Sequence, residues 1–168
     1  MRPLNVLFLC TGNSARSILA EALMNQLPLA AGKFRGFSAG SHPKGEVHPF
    51  ALDLLRSQRM SVEGLRSKSW DEFGAANAPH MDFVITVCDQ AACEVCPIWP
   101  GRPTTTHWSV PDPAGAVLPG EDRRKLFFDA FITLRRRIEQ LASLPLDKLS
   151  GLALQERLDA IAQVGAGG

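Results

Sequence analysis

The sequence predicts an α/β fold in which a parallel sheet is covered by helices on both sides. Short apolar runs with β-branched or aromatic residues alternate along the chain with segments of helical periodicity. This alternation is typical of parallel sheets, whose ligand sites lie at the carboxyl ends of the strands. At 168 residues, the chain is expected to form a single domain over residues 1–168 with a substantial core.

The first predicted elements are a buried strand at Val6–Leu9 and a helix that includes Ile18–Met24. A second strand is predicted at Lys33–Gly40. Proline suits the first turn of a helix, so the apolar periodicity of Pro49–Leu55 indicates a second helix. Ser61–Ser69 is interpreted as a further short strand with flanking turns.

Later in the chain, Trp70–Phe73 suggests a short helical turn capped by Ser69. Met81–Val87 is the clearest central strand, and Thr104–Trp108 is predicted as another. The longest helix is predicted over Glu121–Leu141. Its core-facing residues are Leu126, Phe127, Ala130, Phe131, Leu134 and Ile138.

The C-terminal part carries two further features. The run Arg135–Arg137 lies within the long helix and is interpreted as its solvated face. Pro145 ends that helix, and Leu149–Val164 has the pattern of an additional amphipathic helix. The domain is therefore divided into a core at 4–143 and a helical extension at 145–164.

The stretch with the clearest chemistry connects the first strand to the first helix, and it is Cys10-Thr11-Gly12-Asn13-Ser14-Ala15-Arg16-Ser17. A loop that enters a helix N-terminus directs several backbone N–H groups at one point and favours an anion there. Gly12 and Asn13 tolerate left-handed backbone, and the guanidinium of Arg16 can bind two oxygens of a tetrahedral oxyanion. The same field predicts a thiolate at Cys10, to which Ser17 is able to donate a hydrogen bond. The alternative, a buried strand-end cysteine and a solvated arginine, is disfavoured by the strand–loop–helix setting.

Three more cysteines follow the central strand within nine residues: Cys88, Cys93 and Cys96. No second pair of ligands completes a zinc site with Cys93 and Cys96, so no transition metal is predicted. Because Cys10 and Cys88 both follow predicted parallel strands, they are expected at the same edge of the sheet. A thiol there can attack a modified Cys10, and a neighbouring thiol can resolve the disulfide. The alternative is that the three cysteines are small apolar residues of a loop.

Asp112 is the third feature with possible chemistry. It lies between two prolines in a loop that is able to reach Cys10. Protonated, its carboxyl group can donate to a leaving oxygen. By itself this segment is an ordinary turn, and its significance depends on the motif at Cys10–Ser17.

Composition gives little reason to expect a nucleic acid or a membrane surface as partner, since the net charge is +1. Cys10 follows the N-terminus too closely for a signal-peptide apolar region, and no apolar run reaches membrane-spanning length. We therefore expect a cytoplasmic protein, a compartment where four cysteines are more often chemical than structural.

These motifs together resemble the low-molecular-weight protein tyrosine phosphatase superfamily, and more narrowly its arsenate reductase branch. The resemblance covers roughly residues 4–143 and includes the His-Trp-x-x-x-Asp-Pro-Ala segment. It implies a four-stranded parallel sheet flanked by helices. It also implies a Cys10 nucleophile, an oxyanion site of Arg16 and the loop amides, and Asp112 as general acid.

The resemblance further implies a thiol relay in which Cys88 attacks Cys10 and Cys96 resolves the disulfide, with Cys93 as the alternative resolving thiol. No tightly bound cofactor is expected. The external reductant is thioredoxin or glutathione with glutaredoxin, and glutathione in place of Cys88 is an open alternative. Members linked to thioredoxin bind a potassium ion, and Asn13, Glu21 and Ser38 match that pattern.

Two functions compete under this resemblance, arsenate reduction and phosphomonoester hydrolysis through a phosphocysteine. Phosphatases of the superfamily usually have tyrosines after the Asp-Pro, whereas this chain has Ala114 and Gly115 there and no tyrosine anywhere. Phosphatases also do not need a second cysteine pair. Reductase is therefore favoured. A catalytically silent oxyanion or redox sensor is disfavoured because it would not need Asp112.

Overall fold

The structure, a computed structural model, describes residues 2–89, 91, 99, 101–114 and 119–165. Its sheet has four parallel strands in the order β2-β1-β3-β4, which confirms the predicted fold class. These strands are β1 (Leu4–Leu9), β2 (Phe34–Ala39), β3 (Phe83–Thr86) and β4 (Thr104–His107). The strand order reverses between β1 and β3, and ligand sites of open parallel sheets lie at such a point.

Five helices surround the sheet in the described part of the chain. They are α1 (Arg16–Gln26), α2 (Pro49–Ser57), α3 (Asp71–Gly74), α4 (Gly120–Ala142) and α5 (Gly151–Ile161). Helix α3 is the predicted helical turn, and the Ser69 hydroxyl accepts from the Asp71 amide at 3.1 Å. Helix α5 is the predicted C-terminal extension. None of these helices has both the length and the hydropathy needed to cross a membrane.

Strand β1 lies in the centre of the core, and its side chains alternate between the two faces of the sheet. Val6 and Phe8 pack with the helices of one face, whereas Leu7 and Leu9 pack on the other with Phe73 of α3. All four of these β1 residues are fully buried. Burial on both faces explains why this strand is a continuous apolar run.

The predicted strand at Ser61–Ser69 is wrong. This segment is irregular except for an isolated bridge between Ser69 and Gly40. Its backbone amides are bound by side chains, Ser61 by Gln26 at 2.7 Å and Lys68 by Asn13 at 2.9 Å. Because these amides are engaged, they cannot form a strand ladder.

Candidate active site

The loop at residues 10–15, here called the anion loop, joins β1 to α1. Three of its carbonyl groups accept hydrogen bonds of 2.9–3.0 Å from backbone N–H groups of the segment at residues 42–48. The bonds link His42 to Thr11, Lys44 to Gly12 and His48 to Ser14. A Cβ atom at Gly40 would lie 2.5 Å from the Thr11 carbonyl oxygen, so only glycine permits this close packing.

The segment at residues 42–48 binds carbonyl groups of the anion loop, and backbone amides of the loop remain available to bind an anion. In the described part of the chain, the N–H groups of residues 13–16 donate to no acceptor. Helix α1 has neither a side-chain cap nor an acidic residue in its first turn. Uncapped amides at a helix N-terminus form a site for an anion.

Asn13 fixes the shape of the anion loop. Its φ angle is +43°, the left-handed conformation that the sequence indicated. The buried side chain accepts from the Lys68 amide at 2.9 Å and donates to the Ser17 hydroxyl at 2.8 Å. The Ser17 hydroxyl thus accepts from Asn13, and its predicted hydrogen bond to the Cys10 sulfur stays a prediction.

Cys10 and Cys88 are both buried and reduced, and both line the same cleft. The Cys88 sulfur also accepts from the Thr11 amide at 3.3 Å and from the Ala91 amide at 3.4 Å. The Thr11 hydroxyl lies 3.5 Å from the same sulfur. The second thiol is thus held against the anion loop itself.

The surroundings of the two sulfurs shift the pKa values of the two thiols in opposite directions. The hydrogen bond from Cys10 lowers the pKa of Cys88 to about 5, helped by the Thr11 hydroxyl and the two amides. The pKa of Cys10 is raised above its usual range by its hydrogen bond with Cys88 and by burial, although Arg16 opposes this. The sequence predicts a Cys10 thiolate, whereas these two pKa shifts favour ionisation of Cys88 before Cys10.

Titration of the reduced protein checks this assignment. We expect the ¹³Cβ resonance of Cys88 to titrate near pH 5, so that Cys88 is a thiolate above that pH, while Cys10 stays a thiol at neutral pH. In Cys88→Ser, loss of the thiolate neighbour lowers the pKa of Cys10 relative to wild type. NMR of protein labelled at cysteine Cβ measures both. Titration of Cys10 alone in the acidic range would contradict the assignment.

Arg16 and Asp112 line the same cleft, whose volume is about 640 Å³ and which Cys10 and Cys88 also line. The Arg16 guanidinium donates to the Val110 carbonyl at 2.9 Å and lies 3.7 Å from the Asp112 carboxylate. Its Nε atom is buried without a partner among the described residues. A buried unpaired donor beside free amides suits an oxyanion ligand.

Several cleft residues were not predicted from the sequence. His42 and Lys44 line the cleft, although no site residue was predicted in that segment. Asp89 also lines it and accepts from His107 at 2.8 Å. The segment at residues 42–48, whose amides bind the carbonyls of the anion loop, brings His42 and Lys44 there, whereas Asp89 directly follows Cys88 after β3.

Two of the three residues that match a potassium site, Glu21 and Ser38, lie beside a protein cation, and the third, Asn13, binds the backbone amide of the same lysine. The Lys68 ammonium lies 3.4 Å from both the Glu21 carboxylate and the Ser38 hydroxyl, and it donates to the Arg66 carbonyl at 2.9 Å. Lys68 is only 8% exposed. Burial lowers its pKa, and Glu21 opposes that shift. Because the ammonium already neutralises Glu21, these residues do not fit an additional potassium ion.

Replacement of Lys68 by alanine tests whether the Lys68 ammonium takes the place of a potassium ion beside Glu21. Wild-type thermal stability should not depend on whether the salt is potassium or sodium. Lys68→Ala leaves Glu21 largely buried and unpaired, which costs about 3 kcal/mol, or roughly 6–12 °C in Tm. Potassium should restore part of this loss in the variant. A potassium-specific rise in Tm of the wild type would contradict our interpretation.

Cys93 and Cys96, the candidate resolving thiols, lie outside the described residues. Their roles therefore stay predictions. The predicted catalytic residues Cys10, Cys88 and Asp112 follow β1, β3 and β4, and all three line one cleft.

Fold and site together define a class of protein. It is a parallel α/β protein with a cysteine at the start of an anion-binding loop, at the point where the strand order of its sheet reverses. The family model for low molecular weight phosphotyrosine protein phosphatase matches residues 5–151. The chain therefore belongs to that family.

Known relatives refine this assignment. An arsenate reductase of Bacillus anthracis is 35% identical over 114 residues, which span 68% of this chain and 80% of the relative. The crystal structure of an arsenate reductase from Archaeoglobus fulgidus has a TM-score of 0.64 at 29% identity, covering 83% of this chain and 99% of that one. An arsenate reductase in a phosphate-binding state has a TM-score of 0.66 at 27% identity, covering 83% and 97%.

Proposed function

We propose that the protein is an arsenate reductase that converts arsenate to arsenite through an intermediate bound to Cys10. The observation that carries this proposal is the buried Cys88 sulfur, which accepts from the Thr11 amide of the anion loop and lines the same cleft as Cys10. Hydrolysis of a phosphocysteine needs water and has no use for a second thiol at that place. The similarity to arsenate reductases supports the same substrate.

The first step forms a bond between the Cys10 sulfur and arsenic. Cys10 passes its proton to Cys88, and the resulting thiolate displaces an oxygen of arsenate bound by Arg16 and the loop amides. Asp112 donates a proton to that oxygen, which leaves as water. Its partly exposed position at the cleft allows the carboxyl group to be protonated again from solvent.

The second step is the reduction. Cys88 first releases to solvent the proton that it took from Cys10 and then, as thiolate, attacks the Cys10 sulfur, so that an S–S bond forms and the S–As bond breaks. The electron pair of that bond stays on arsenic, which leaves as arsenite, and two thiols are oxidised to one disulfide. We propose that Cys96 or Cys93 then attacks Cys88 and that an external thiol, thioredoxin or glutathione with glutaredoxin, reduces the final disulfide. Such chemistry needs the reducing conditions of the cytoplasm.

Arsenite release from purified, reduced protein given arsenate tests the proposal. Parallel assays contain thioredoxin with its reductase or glutathione with glutaredoxin, and an aryl phosphate is tested beside them. Turnover with thioredoxin supports the whole relay, whereas turnover only with glutathione removes Cys88 and Cys96 from the pathway. Phosphate hydrolysis without arsenite release would identify the protein as a phosphatase. No turnover with either substrate would favour an oxyanion or redox sensor.

A further inference from the structure

The C-terminal helix α5 (Gly151–Ile161) packs beside strand β4, the edge strand of the sheet. The Leu158 carbonyl accepts from the Trp108 indole at 3.0 Å, and Asp159 accepts from the Thr106 hydroxyl at 2.7 Å. The Leu158 side chain is fully buried in the main core. The extension therefore supports the strand that leads directly into the loop at residues 108–112, here called the acid loop.

Arg137 of α4 connects the end of the extension to the acid loop. The sequence predicts that Arg137 belongs to a solvated face. This prediction is wrong, because Arg137 is only 2% exposed. Its guanidinium donates to the Val164 carbonyl at 2.9 Å and to the Ser109 carbonyl at 3.0 Å. One rigid group thus holds two segments that are 55 residues apart in sequence.

The charge of Arg137 is not neutralised by an ion pair within the described residues. Burial correspondingly lowers its pKa. A desolvated cation whose partners are backbone carbonyls is costly compared with an apolar side chain of similar size. The planar guanidinium, however, fixes the geometry between its two acceptors, the Val164 and Ser109 carbonyls.

Ser109, which Arg137 binds, directly precedes the residues that contact the candidate site. The Val110 carbonyl accepts from Arg16 at 2.9 Å, and Asp112 lies 3.7 Å from the same guanidinium. Ser109 also lines the cleft, together with Asp89, the neighbour of Cys88. A displacement of Ser109 would therefore move the groups that orient Arg16 and Asp112.

We propose that Arg137 is a positioning residue, which ties the C-terminal segment to the acid loop and thereby fixes Arg16 and Asp112 for oxyanion binding. This inference rests on the proposed function of the cleft and adds a role for the extension. Arg137 does not touch the cleft ligand itself; it acts through the Ser109 carbonyl. A misplacement of about 1 Å in such a site is enough to reduce activity strongly.

Calorimetric titration of the reduced, full-length protein with inorganic phosphate tests the proposal. In Arg137→Met we expect the Kd for phosphate to rise about tenfold and kcat/KM for arsenate to fall by a similar factor. Arg137→Lys keeps the charge but cannot hold both carbonyls, so it should lose about threefold. The control, Thr106→Val, removes the bond to Asp159 and lowers Tm, but it should change the Kd less than twofold.

Two results would overturn the proposal. One is wild-type phosphate affinity in Arg137→Met, or in Arg137→Lys should the Met variant not fold. The other is equal weakening by Thr106→Val, which would mean a general effect of instability. Hydrogen exchange at the Val110 amide, which donates to Val87 at 3.0 Å, gives a readout without ligand: we expect faster exchange in Arg137→Met. If the wild-type protein binds no phosphate, the proposed oxyanion site is wrong. The exchange rate of the Val110 amide then tests by itself whether Arg137 holds the acid loop.

Discussion

Cys10→Ser should abolish arsenite release, with a loss of at least about 10⁴-fold under saturating arsenate and reductant. A serine hydroxyl is barely ionised in the field that acts on a thiol, and it cannot form the sulfur–arsenic bond that the reduction requires. The substitution changes one buried atom, and the backbone contact from Cys10 to Ala39 at 3.2 Å does not depend on the side chain. The assay is arsenite formation under multiple-turnover conditions.

Binding of phosphate separates loss of chemistry from loss of the site in this variant. Because the amides of the anion loop and Arg16 are unchanged, the Kd of Cys10→Ser for phosphate should stay within about threefold of wild type. Loss of phosphate binding together with activity would mean that the anion loop had collapsed. Substantial residual turnover in a variant that binds phosphate would remove Cys10 from its role as nucleophile.

The fold was predictable because its signals are local. The apolar run of β1, the helical periodicity of α4 and the regular alternation of the two element types each follow from neighbouring residues. The exception is Ser61–Ser69, which was predicted as a strand, but its amides at Ser61 and Lys68 are bound by side chains from α1 and from the anion loop. Such long-range competition leaves no trace in the segment itself.

The candidate site divides in the same way. Cys10, Arg16 and Asp112 were predictable because the residue types and their spacing carry the chemistry. The buried ammonium of Lys68 and the buried guanidinium of Arg137 were not, because each lies in a polar or charged stretch of the sequence. Only the folded chain brings Glu21 to the first and the Ser109 carbonyl to the second.

Cys88→Ser should stop thioredoxin-supported arsenite release, with a loss of at least about 10³-fold, while phosphate binding stays within about threefold of wild type. The reason is specific to the second step: the hydroxyl of serine cannot attack the Cys10 sulfur as the Cys88 thiolate does. The first step is not impaired, because removal of Cys88 takes away the main cause that raises the pKa of Cys10. The variant should therefore accumulate arsenic on Cys10, which mass spectrometry of the intact protein detects.

Single-turnover measurements distinguish Cys88 from the resolving thiol. Without reductant, wild type and the variants Cys93→Ser and Cys96→Ser should each release one equivalent of arsenite, whereas Cys88→Ser should release none. Loss of later turnovers in only one of the two former variants identifies the resolving cysteine, since its absence leaves the Cys10–Cys88 disulfide in place. Full turnover of Cys88→Ser with glutathione and glutaredoxin would show instead that an external thiol attacks Cys10. In that case the contacts of Thr11 and Ala91 with the Cys88 sulfur would serve only to hold the loop after β3 against the anion loop.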